Sequence, residues 1–307
     1  MTTGTRLIVI VKGMETLPYE PRHAGAGPAG RLVAGRYRLG PLLGRGGMGS
    51  VWLAEDELLG RPVAVKQVAE TGRTARARAL DEARAAASVT HPGTVRILDL
   101  VRDGDEPWIV MEALSGRALA DVLRTDGPLP VEEVRRIGLR LLDALEAVHR
   151  AGIVHRDVKP GNVQLCADGR VVLIDFGIAF SPGYDSGSPA EGFEGSPAYV
   201  SPEQMHGAPP EPASDLFTLG ATLYAAVEGR SPFERGDLFA TMLAVTEATP
   251  APFHRAGVLR PVIEGLLAAD PDRRWTLGQA REALVTPDVF AVKVPMARTR
   301  SRRMIDA

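Results

Sequence analysis

The order of local sequence patterns most restricts how this 307-residue chain can fold. Short runs rich in apolar and β-branched residues, separated by glycine-rich or polar breaks, dominate up to about residue 112. They predict strands over residues 37–43, 50–55, 62–68, 95–101 and 108–112, with a helix over 74–88 between the third and the fourth. Helical spacing dominates afterwards. Strands followed by helices predict an α+β fold with a small β-rich N-terminal lobe, a larger α-rich C-terminal lobe and a cleft between them.

Helical spacing of apolar residues is clearest between Pro130 and Gly152. Proline near the start of a helix and glycine just after its end are favoured by the backbone at those positions. A second long helix is predicted to begin with Ser214 as its cap and to end before Gly229. Further helices are predicted over residues 237–246, 259–268 and 277–284.

Composition limits the partners and the compartment. The formal net charge of -2 gives no overall positive field, which argues against nucleic acid as a partner. No apolar run is long enough for a transmembrane segment, and the single cysteine, Cys166, cannot form an internal disulfide. Residues 1–35 predict a flexible extension, and residues 287–307 predict a short basic tail. We therefore expect a cytoplasmic globular protein with extensions at both ends.

A glycine-rich segment lies between the first two long strands. Residues 44–51 read Gly-Arg-Gly-Gly-Met-Gly-Ser-Val, and glycines at this spacing let backbone amides approach phosphate groups closely. A plain β-turn and a dinucleotide-binding loop are the alternatives. A dinucleotide loop needs a helix directly after the glycines, whereas residues 51–54 predict a strand. The segment therefore predicts a flap that joins two strands and lies over a nucleotide.

The next strand ends in Val-Ala-Val-Lys at residues 63–66. Strand alternation places Ala64 and Lys66 on one face, where Ala64 leaves room for an adenine ring and Lys66 can reach its phosphates. Four of the 36 basic residues in the chain are lysines, which indicates a specific role for a lysine within a motif. Glu82, in the following helix, is predicted to pair with Lys66 and to hold its ammonium toward the phosphates.

The connection between the two lobes is predicted at residues 111–114. The backbone of Glu112 and Leu114 can hydrogen-bond the edge of an adenine there. The predicted nucleotide-binding residues are Leu43, Gly44, Gly46, Gly47, Gly49, Val51, Ala64, Lys66, Met111, Glu112 and Leu114.

Residues 155–162 read His-Arg-Asp-Val-Lys-Pro-Gly-Asn and form the most specific segment of the chain. Asp157 can accept the proton of a hydroxyl nucleophile, and Lys159 can neutralise a phosphoryl group during transfer. Asn162 can ligate a metal ion, and Asp175, in the Asp-Phe-Gly that follows a predicted strand, offers a carboxylate for Mg²⁺. This order of groups predicts catalysis of phosphoryl transfer.

With these motifs the chain resembles the eukaryotic-like (Hanks-type) serine/threonine protein kinases of bacteria over residues 36–286. The resemblance implies an N-lobe of about residues 36–112 and a C-lobe of about 113–286. It further implies that Asp215 lies in a buried helix and that Arg274 pairs with Glu203, in a Ser-Pro-Glu segment that closes the activation loop.

The resemblance also implies an activity. The enzyme would transfer the γ-phosphoryl group of ATP in line to Ser or Thr hydroxyls of protein substrates, with Mg²⁺ or alternatively Mn²⁺, in bacterial signal transduction. It would also autophosphorylate, which implies self-association for the reaction in trans. Many members of the family carry a membrane helix and an external sensor after the kinase domain. Residues 287–307 are too few for either, so we expect the input signal to act on the kinase domain, its extensions or a separate partner.

Control is predicted to involve Arg156, which in the family receives a phosphate from the activation loop. Residues 178–202 contain no threonine, the usual acceptor in bacterial relatives. Ser196 occupies the place of a structural Ser or Thr of the family. Ser186 and Ser188, in the middle of the loop, are therefore the predicted acceptors.

Two other functions are alternatives to this one. A small-molecule kinase of related fold, such as an aminoglycoside phosphotransferase, would share the catalytic loop and the metal-binding aspartate. It is not expected to combine Lys159, Glu203, Asp215 and Arg274. A pseudokinase would bind nucleotide without turnover, and Gln164 favours it because the family usually has an apolar residue there, under the adenine.

Overall fold

The fold is defined by a computed structural model that describes residues 30–46, 49–68, 73–176 and 197–286. The strands in these ranges are β1 (Leu32–Val33), β2 (Tyr37–Gly46), β3 (Gly49–Asp56), β4 (Arg61–Gln67), β5 (Ile97–Asp103), β6 (Glu106–Glu112), β7 (Gly116–Ala118), β8 (Val163–Cys166) and β9 (Val171–Leu173). The α-helices are α1 (Arg73–Ala87), α2 (Leu119–Asp126), α3 (Val131–Arg150), α4 (Pro202–Met205), α5 (Pro212–Glu228), α6 (Leu238–Thr246), α7 (Arg260–Leu266) and α8 (Leu277–Val285).

The N-terminal strands form one antiparallel sheet in the order β1-β2-β3-β4-β6-β5. Strands β2, β3 and β4 follow one another as the predicted meander, whereas the chain passes through α1 before β5 and β6. Alternation along β4 gives the sheet two buried faces. Val63 and Val65 pack in the cluster of Trp108, and Ala64 packs in the cluster that contains Ala83 of α1. The sheet therefore holds Ala64 and Lys66 on the side of α1.

The C-terminal part is built around α3 and α5. Every residue of α5 from Ser214 to Val227 is buried. Gly220 permits this packing, because a Cβ atom at that position would lie 2.8 Å from the Cβ of Leu266 in α7. Strands β7, β8 and β9 form a second, three-stranded sheet. The predicted α+β fold, with a β-rich N-terminal lobe and a helical C-terminal lobe, is confirmed. Among the described residues, no helix has both the length and the apolar composition required to cross a membrane.

Two predicted boundaries are corrected. Residues 32 and 33 were assigned to the flexible extension, but they pair with β2, and Val33 is fully buried against the sheet. A two-residue strand has no detectable period, so the sequence could not reveal it. The cap of α5 is Glu211 rather than Ser214. Pro212 begins the helix, and Ser214 lies in its first turn, where its hydroxyl accepts the backbone N–H of Glu211 at 3.2 Å.

An ion pair in the N-terminal sheet makes stability depend on pH. Asp56 is fully buried, and Arg36 donates to its two carboxylate oxygens at 2.8 Å each. The hydrogen bonds from Arg36 hold the pKa of Asp56 below its ordinary value of 3.8. Because the pKa of Asp56 is lower in the folded state, the ion pair stabilises the protein at pH values above the ordinary pKa. This stabilisation is lost as the pH falls through the folded-state pKa.

We expect Arg36→Met to lower the free energy of unfolding at pH 7, and we expect its difference from wild type to shrink below about pH 4. Urea unfolding of both proteins across this range measures the effect. Arg61→Met is the matched control, because Arg61 is more exposed and lies 3.6 Å from the same carboxylate. An Arg36→Met deficit that is constant with pH would contradict the assignment.

Candidate active site

Helix α5 holds the loop that follows α3. Asp215 of α5 has no exposed side-chain surface, and its carboxylate accepts the backbone N–H groups of His155 and Arg156 at 2.8 Å each. His149, at the end of α3, places its Nε2 2.8 Å from the same carboxylate. Arg156 has a φ of 72°, in the left-handed region that non-glycine residues rarely adopt. The hydrogen bonds from Asp215 therefore stabilise a strained loop conformation.

The side chain of Asp157 is fixed by its neighbours in this loop. Lys159 donates its Nζ to Asp157 Oδ1, and Asn162 donates its Nδ2 to Asp157 Oδ2 at 2.7 Å and to the backbone oxygen of Asp157 at 2.8 Å. The side chains of Asp157 and Lys159 are only 12% and 10% exposed. The arrangement presents an oriented carboxylate beside a cation, which suits acceptance of a hydroxyl proton next to a phosphoryl group.

His155 connects this loop to the segment that contains Asp175. It is fully buried, and burial lowers its pKa, so the imidazole is neutral. The Nδ1 atom lies 3.3 Å from the backbone N of Asp157, and Nε2 lies 3.2 Å from the carbonyl oxygen of Ile174. A neutral ring satisfies both contacts when Nδ1 accepts and Nε2 donates. The ring also packs 5.2 Å from that of Phe176.

Asn162 and Asp175 offer oxygen ligands of the kind that Mg²⁺ prefers. The backbone N of Ile174 donates to the backbone oxygen of Asn162 at 2.9 Å, which brings the residue before Asp175 against Asn162. Within the described ranges, the buried Asn162 Oδ1 has no hydrogen-bond partner. Buried side-chain oxygens are normally satisfied, so this atom fits a cation ligand. The described residues contain no cluster of three or more His, Cys, Asp or Glu that could hold a metal ion.

The charged residues of the cleft pair differently from the prediction. Lys66 donates its Nζ to Asp175 Oδ1 at 2.8 Å, and Arg156 donates its Nη1 to Glu82 Oε1 at 2.9 Å. The predicted pair of Lys66 with Glu82 is therefore not the one formed here. Two cations and two carboxylates within one cleft can pair in more than one way, and the spacing of the residues in sequence does not distinguish these arrangements.

Five of the predicted nucleotide-binding residues meet in one apolar cluster. Val51, Ala64, Met111 and Leu114 are all buried within it, and Leu43 packs against it. Cross-strand pairing sets Ala64 opposite Met111 and Lys66 opposite Val51.

The described parts of the glycine-rich segment lie at the end of β2 and the start of β3, which pair with each other. Gly44 pairs with Val51, and Gly46 pairs with Gly49, whose φ of 120° requires the freedom of glycine. Gly47 lies outside the described residues.

Glu112 makes a contact that the sequence did not predict. Its side chain accepts the backbone N–H of Arg96 at 3.0 Å and lies 3.3 Å from Arg170, which follows β8. No motif in the sequence indicated the contact of Glu112 with Arg170, because Arg170 belongs to a polar turn. The contact of His149 with Asp215 was likewise not predicted from the sequence.

A buried ion pair fixes the segment that precedes α5. Arg274 has no exposed side-chain surface, and it donates to the two carboxylate oxygens of Glu203 at 2.8 and 2.9 Å. Burial alone would raise the pKa of Glu203, but the hydrogen bonds and charge of Arg274 hold this pKa below its ordinary value. Ser214 of α5 donates its hydroxyl to the same carboxylate at 2.9 Å.

The predicted activation-loop residues Ser186, Ser188 and Ser196 lie outside the described residues.

Comparison with known proteins agrees with this geometry. A family model described as the protein kinase domain matches residues 37–287. The chain belongs to the protein kinase family. Its predicted resemblance to the bacterial eukaryotic-like serine/threonine protein kinases is confirmed by the relatives that it matches.

Three of these relatives come from different bacteria. A probable serine/threonine-protein kinase of Streptomyces coelicolor is 40% identical in an alignment of 260 residues that covers 80% of this chain and 38% of that protein. A probable serine/threonine-protein kinase of Corynebacterium efficiens is 38% identical in an alignment of 234 residues that covers 72% of this chain and 35% of that protein. The serine/threonine-protein kinase pkn2 of Myxococcus xanthus is 38% identical in an alignment of 253 residues that covers 78% of this chain and 30% of that protein. The chain thus spans about a third of the length of these relatives.

Proposed function

We propose that this chain transfers the γ-phosphoryl group of ATP to Ser and Thr hydroxyls of proteins. The observation that carries the proposal is the carboxylate of Asp157, held by Lys159 and Asn162 at the end of a cleft that also contains Lys66 and Asp175. The buried pair of Glu203 with Arg274 supports a protein kinase over a small-molecule kinase, because only the former is expected to contain it.

Each residue has a defined task in this proposal. Asp157 accepts the proton of the substrate hydroxyl, and Lys159 neutralises charge on the phosphoryl group during its transfer. Lys66 holds the phosphates, and Asn162 and Asp175 would hold Mg²⁺, with Mn²⁺ as the alternative; the ion, when bound, would neutralise charge on the phosphates. The substrate hydroxyl attacks the γ-phosphorus directly as the bond to ADP breaks, so no covalent enzyme intermediate forms.

Phosphoryl transfer in vitro tests the proposal. The purified chain is incubated with labelled ATP and Mg²⁺, alone and with a generic basic protein, and the labelled amino acids are identified. Phosphoserine or phosphothreonine on either protein is the expected result. Binding of ATP without any transfer would favour the pseudokinase, and transfer to aminoglycosides without transfer to protein would favour the small-molecule kinase. Parallel reactions with Mn²⁺ identify the preferred ion.

The proposal extends to control of the enzyme. In the described structure the guanidinium of Arg156 is paired with Glu82, so a phosphate on the activation loop would compete with this carboxylate for Arg156. Release of Glu82 would allow it to pair with Lys66. The fixed acids Asp185, Glu191 and Glu194 lie in the same stretch of sequence as the predicted acceptors and can partly replace a phosphate.

We expect autophosphorylation at Ser186 or Ser188, with a modest activating effect. The Ser186→Ala/Ser188→Ala variant should therefore retain measurable activity, because the loop acids supply part of the charge. Peptide mapping after incubation with ATP, followed by kinetics of the variant, measures both statements. Complete loss of activity would show that the acids cannot substitute, and fully active wild type without modification would remove phosphorylation from the mechanism.

The proposal also includes the compartment in which the enzyme acts and its association with a second copy. It acts on protein substrates in the cytoplasm, where ATP is available, and it associates with a second copy during autophosphorylation in trans. Measurement of autophosphorylation rate against enzyme concentration tests the last point, because a reaction in trans accelerates with concentration and an intramolecular reaction does not.

A further inference from the structure

One carboxylate joins three segments of the chain at the lobe connection, residues 112–115. Glu112 is the last residue of β6, and its Oε1 accepts the backbone N–H of Arg96 at 3.0 Å. Arg170, in the turn between β8 and β9, donates its Nη1 to Oε2 of the same carboxylate at 3.3 Å. Glu112 therefore links the segment before β5 to the small sheet of the C-terminal lobe.

The β8–β9 turn holds the lobe connection at a second point. The backbone N–H of Ala167 donates to the carbonyl oxygen of Ser115 at 3.0 Å. On the other side, the backbone N–H of Glu112 donates to the carbonyl oxygen of Arg96 at 2.9 Å. Of these contacts, the one between Glu112 and Arg170 joins two side chains. A single substitution can therefore remove it and leave the backbone bonds in place.

The guanidinium of Arg170 is oriented by its own turn. Its Nε donates to Asp168 Oδ2 at 2.8 Å, and its backbone N–H donates to Asp168 Oδ1 at 3.0 Å. The side chains of Arg170 and Glu112 are 35% and 25% exposed, so the pair is partly shielded from water. A charge-assisted hydrogen bond between groups that are already oriented loses little entropy when it forms. Arg170 is therefore suited to hold the carboxylate of Glu112 in one position.

The backbone of Glu112 and Leu114 is where the adenine edge is predicted to bind, so this inference rests on the proposed function. A lobe connection that also adopts other conformations binds adenine more weakly. The apparent dissociation constant is the intrinsic one divided by the fraction of molecules in the competent conformation. Bonds that hold the connection before the nucleotide arrives therefore increase affinity without contacting the nucleotide.

We propose that Arg170 is a positioning residue for the nucleotide and acts through Glu112. Its ion pair with this carboxylate keeps the lobe connection in the conformation that bonds the adenine edge. In this assignment Arg170 contacts neither the base nor the phosphates, and it raises the population of the competent backbone. The transfer step at Asp157 does not depend on it.

Equilibrium binding of ATP with Mg²⁺, and of adenosine, to the whole chain tests the proposal in the variant Arg170→Met. Methionine keeps a flexible, unbranched side chain without the charge. We expect the variant to bind each ligand about threefold to fivefold more weakly than wild type, the effect of losing a partly exposed ion pair. The factor should be the same for both ligands, because both contain adenine and only ATP contains phosphates. Unchanged affinity, or a loss confined to ATP, would overturn the proposal.

Glu112→Gln assigns the effect to the pair. Glutamine keeps an oxygen for the N–H of Arg96 and removes the charge that Arg170 binds. We expect a similar loss of affinity in this variant. The double variant Glu112→Gln/Arg170→Met should bind no more weakly than either single variant, because both substitutions remove one interaction. Additive losses would show that Arg170 does not act through Glu112.

Arg281→Met is the matched control. Arg281 is 34% exposed and pairs with Asp143 and Glu146 of α3, within the helical lobe. Its substitution removes a comparable ion pair far from the lobe connection in sequence, and it should keep the wild-type affinity for both ligands. An equal loss in this variant would assign the effect to a general loss of ion pairing. Thermal unfolding of each variant shows whether the fold is kept.

Kinetics separate a positioning role from a catalytic one. Arg170→Met should raise KM for ATP by the factor found in binding and leave kcat unchanged, because the groups of the transfer step are intact. A lowered kcat with unchanged KM would contradict the proposal.

Failure of this inference is distinguishable from failure of the proposed function. Binding is measured without phosphoryl transfer, so a protein without turnover still reports on Arg170. Absence of ATP binding to wild type would contradict the ATP-dependent activity and this inference with it. Equal binding of ATP by wild type and Arg170→Met would leave that activity intact and overturn only the assignment of Arg170.

Discussion

Asp157→Asn is expected to lower the rate of phosphoryl transfer by a factor of about 10² to 10⁴, the effect of losing a general base. An amide has the shape of a carboxylate but cannot accept the proton of the hydroxyl nucleophile. The fold should persist, because the backbone of the loop is held by Asp215, whose bonds to His155 and Arg156 do not involve the Asp157 side chain. Initial rates with labelled ATP, together with nucleotide affinity and thermal unfolding, measure the three statements.

Asp126→Asn is the matched control for this variant. Asp126 is an exposed aspartate that pairs with Arg117 at the end of α2, away from the cleft residues. Its substitution should leave the rate unchanged. An Asp157→Asn protein that binds ATP and turns over within a few-fold of wild type would contradict the role of Asp157. A variant that has lost its fold would be recognised from its unfolding curve and would not count as support.

Arg274→Met is expected to lower the free energy of unfolding by about 3–5 kcal/mol, the effect of removing one partner from a buried ion pair. The carboxylate of Glu203 would remain in a largely buried site without its cation. Three backbone carbonyls, those of Ala213, Ala268 and Ala269, would also lose a donor. Urea unfolding monitored by circular dichroism measures the change.

The adjacent residue provides the control for this prediction. Arg273 is 85% exposed and lies 3.6 Å from Asp270, so Arg273→Met should change stability by no more than about 0.5 kcal/mol. The double variant Arg274→Met/Glu203→Leu should recover part of the loss, because the unpaired carboxylate is then absent. Equal effects of Arg273→Met and Arg274→Met would contradict the assignment of the buried pair.

Much of the fold was predictable because its signals are local. Strand alternation around Ala64 and Lys66, and helical spacing between Pro130 and Gly152, predict elements that the structure contains within a few residues. Short elements were not predictable. Strands β1 and β7 have two and three residues, too few for a period, and they exist because the neighbouring strands satisfy their backbone groups.

The sequence predicted which residues belong to the candidate site better than it predicted which of them contact each other. Residues 155–162 and Asp175 were identified because phosphoryl transfer requires these groups in this order. The contact of Asp215 with the loop at His155 joins residues 60 positions apart, and the family resemblance indicated only that Asp215 is buried. Its reason, the stabilisation of a loop with a left-handed residue at Arg156, became visible only in the structure.

The identity and order of the chemical groups follow from the amino-acid sequence: a glycine-rich segment, a lysine on the strand after it, and a catalytic loop followed by a metal-binding aspartate. These features are encoded within a few residues, where spacing and side-chain chemistry are sufficient. Only the folded structure shows that Lys66 pairs with Asp175, that Glu82 pairs with Arg156 and that the amide of Gln164 is buried without a hydrogen-bond partner among the described residues. The physical reason is that charge pairing and burial depend on distances between segments that only the folded chain brings together.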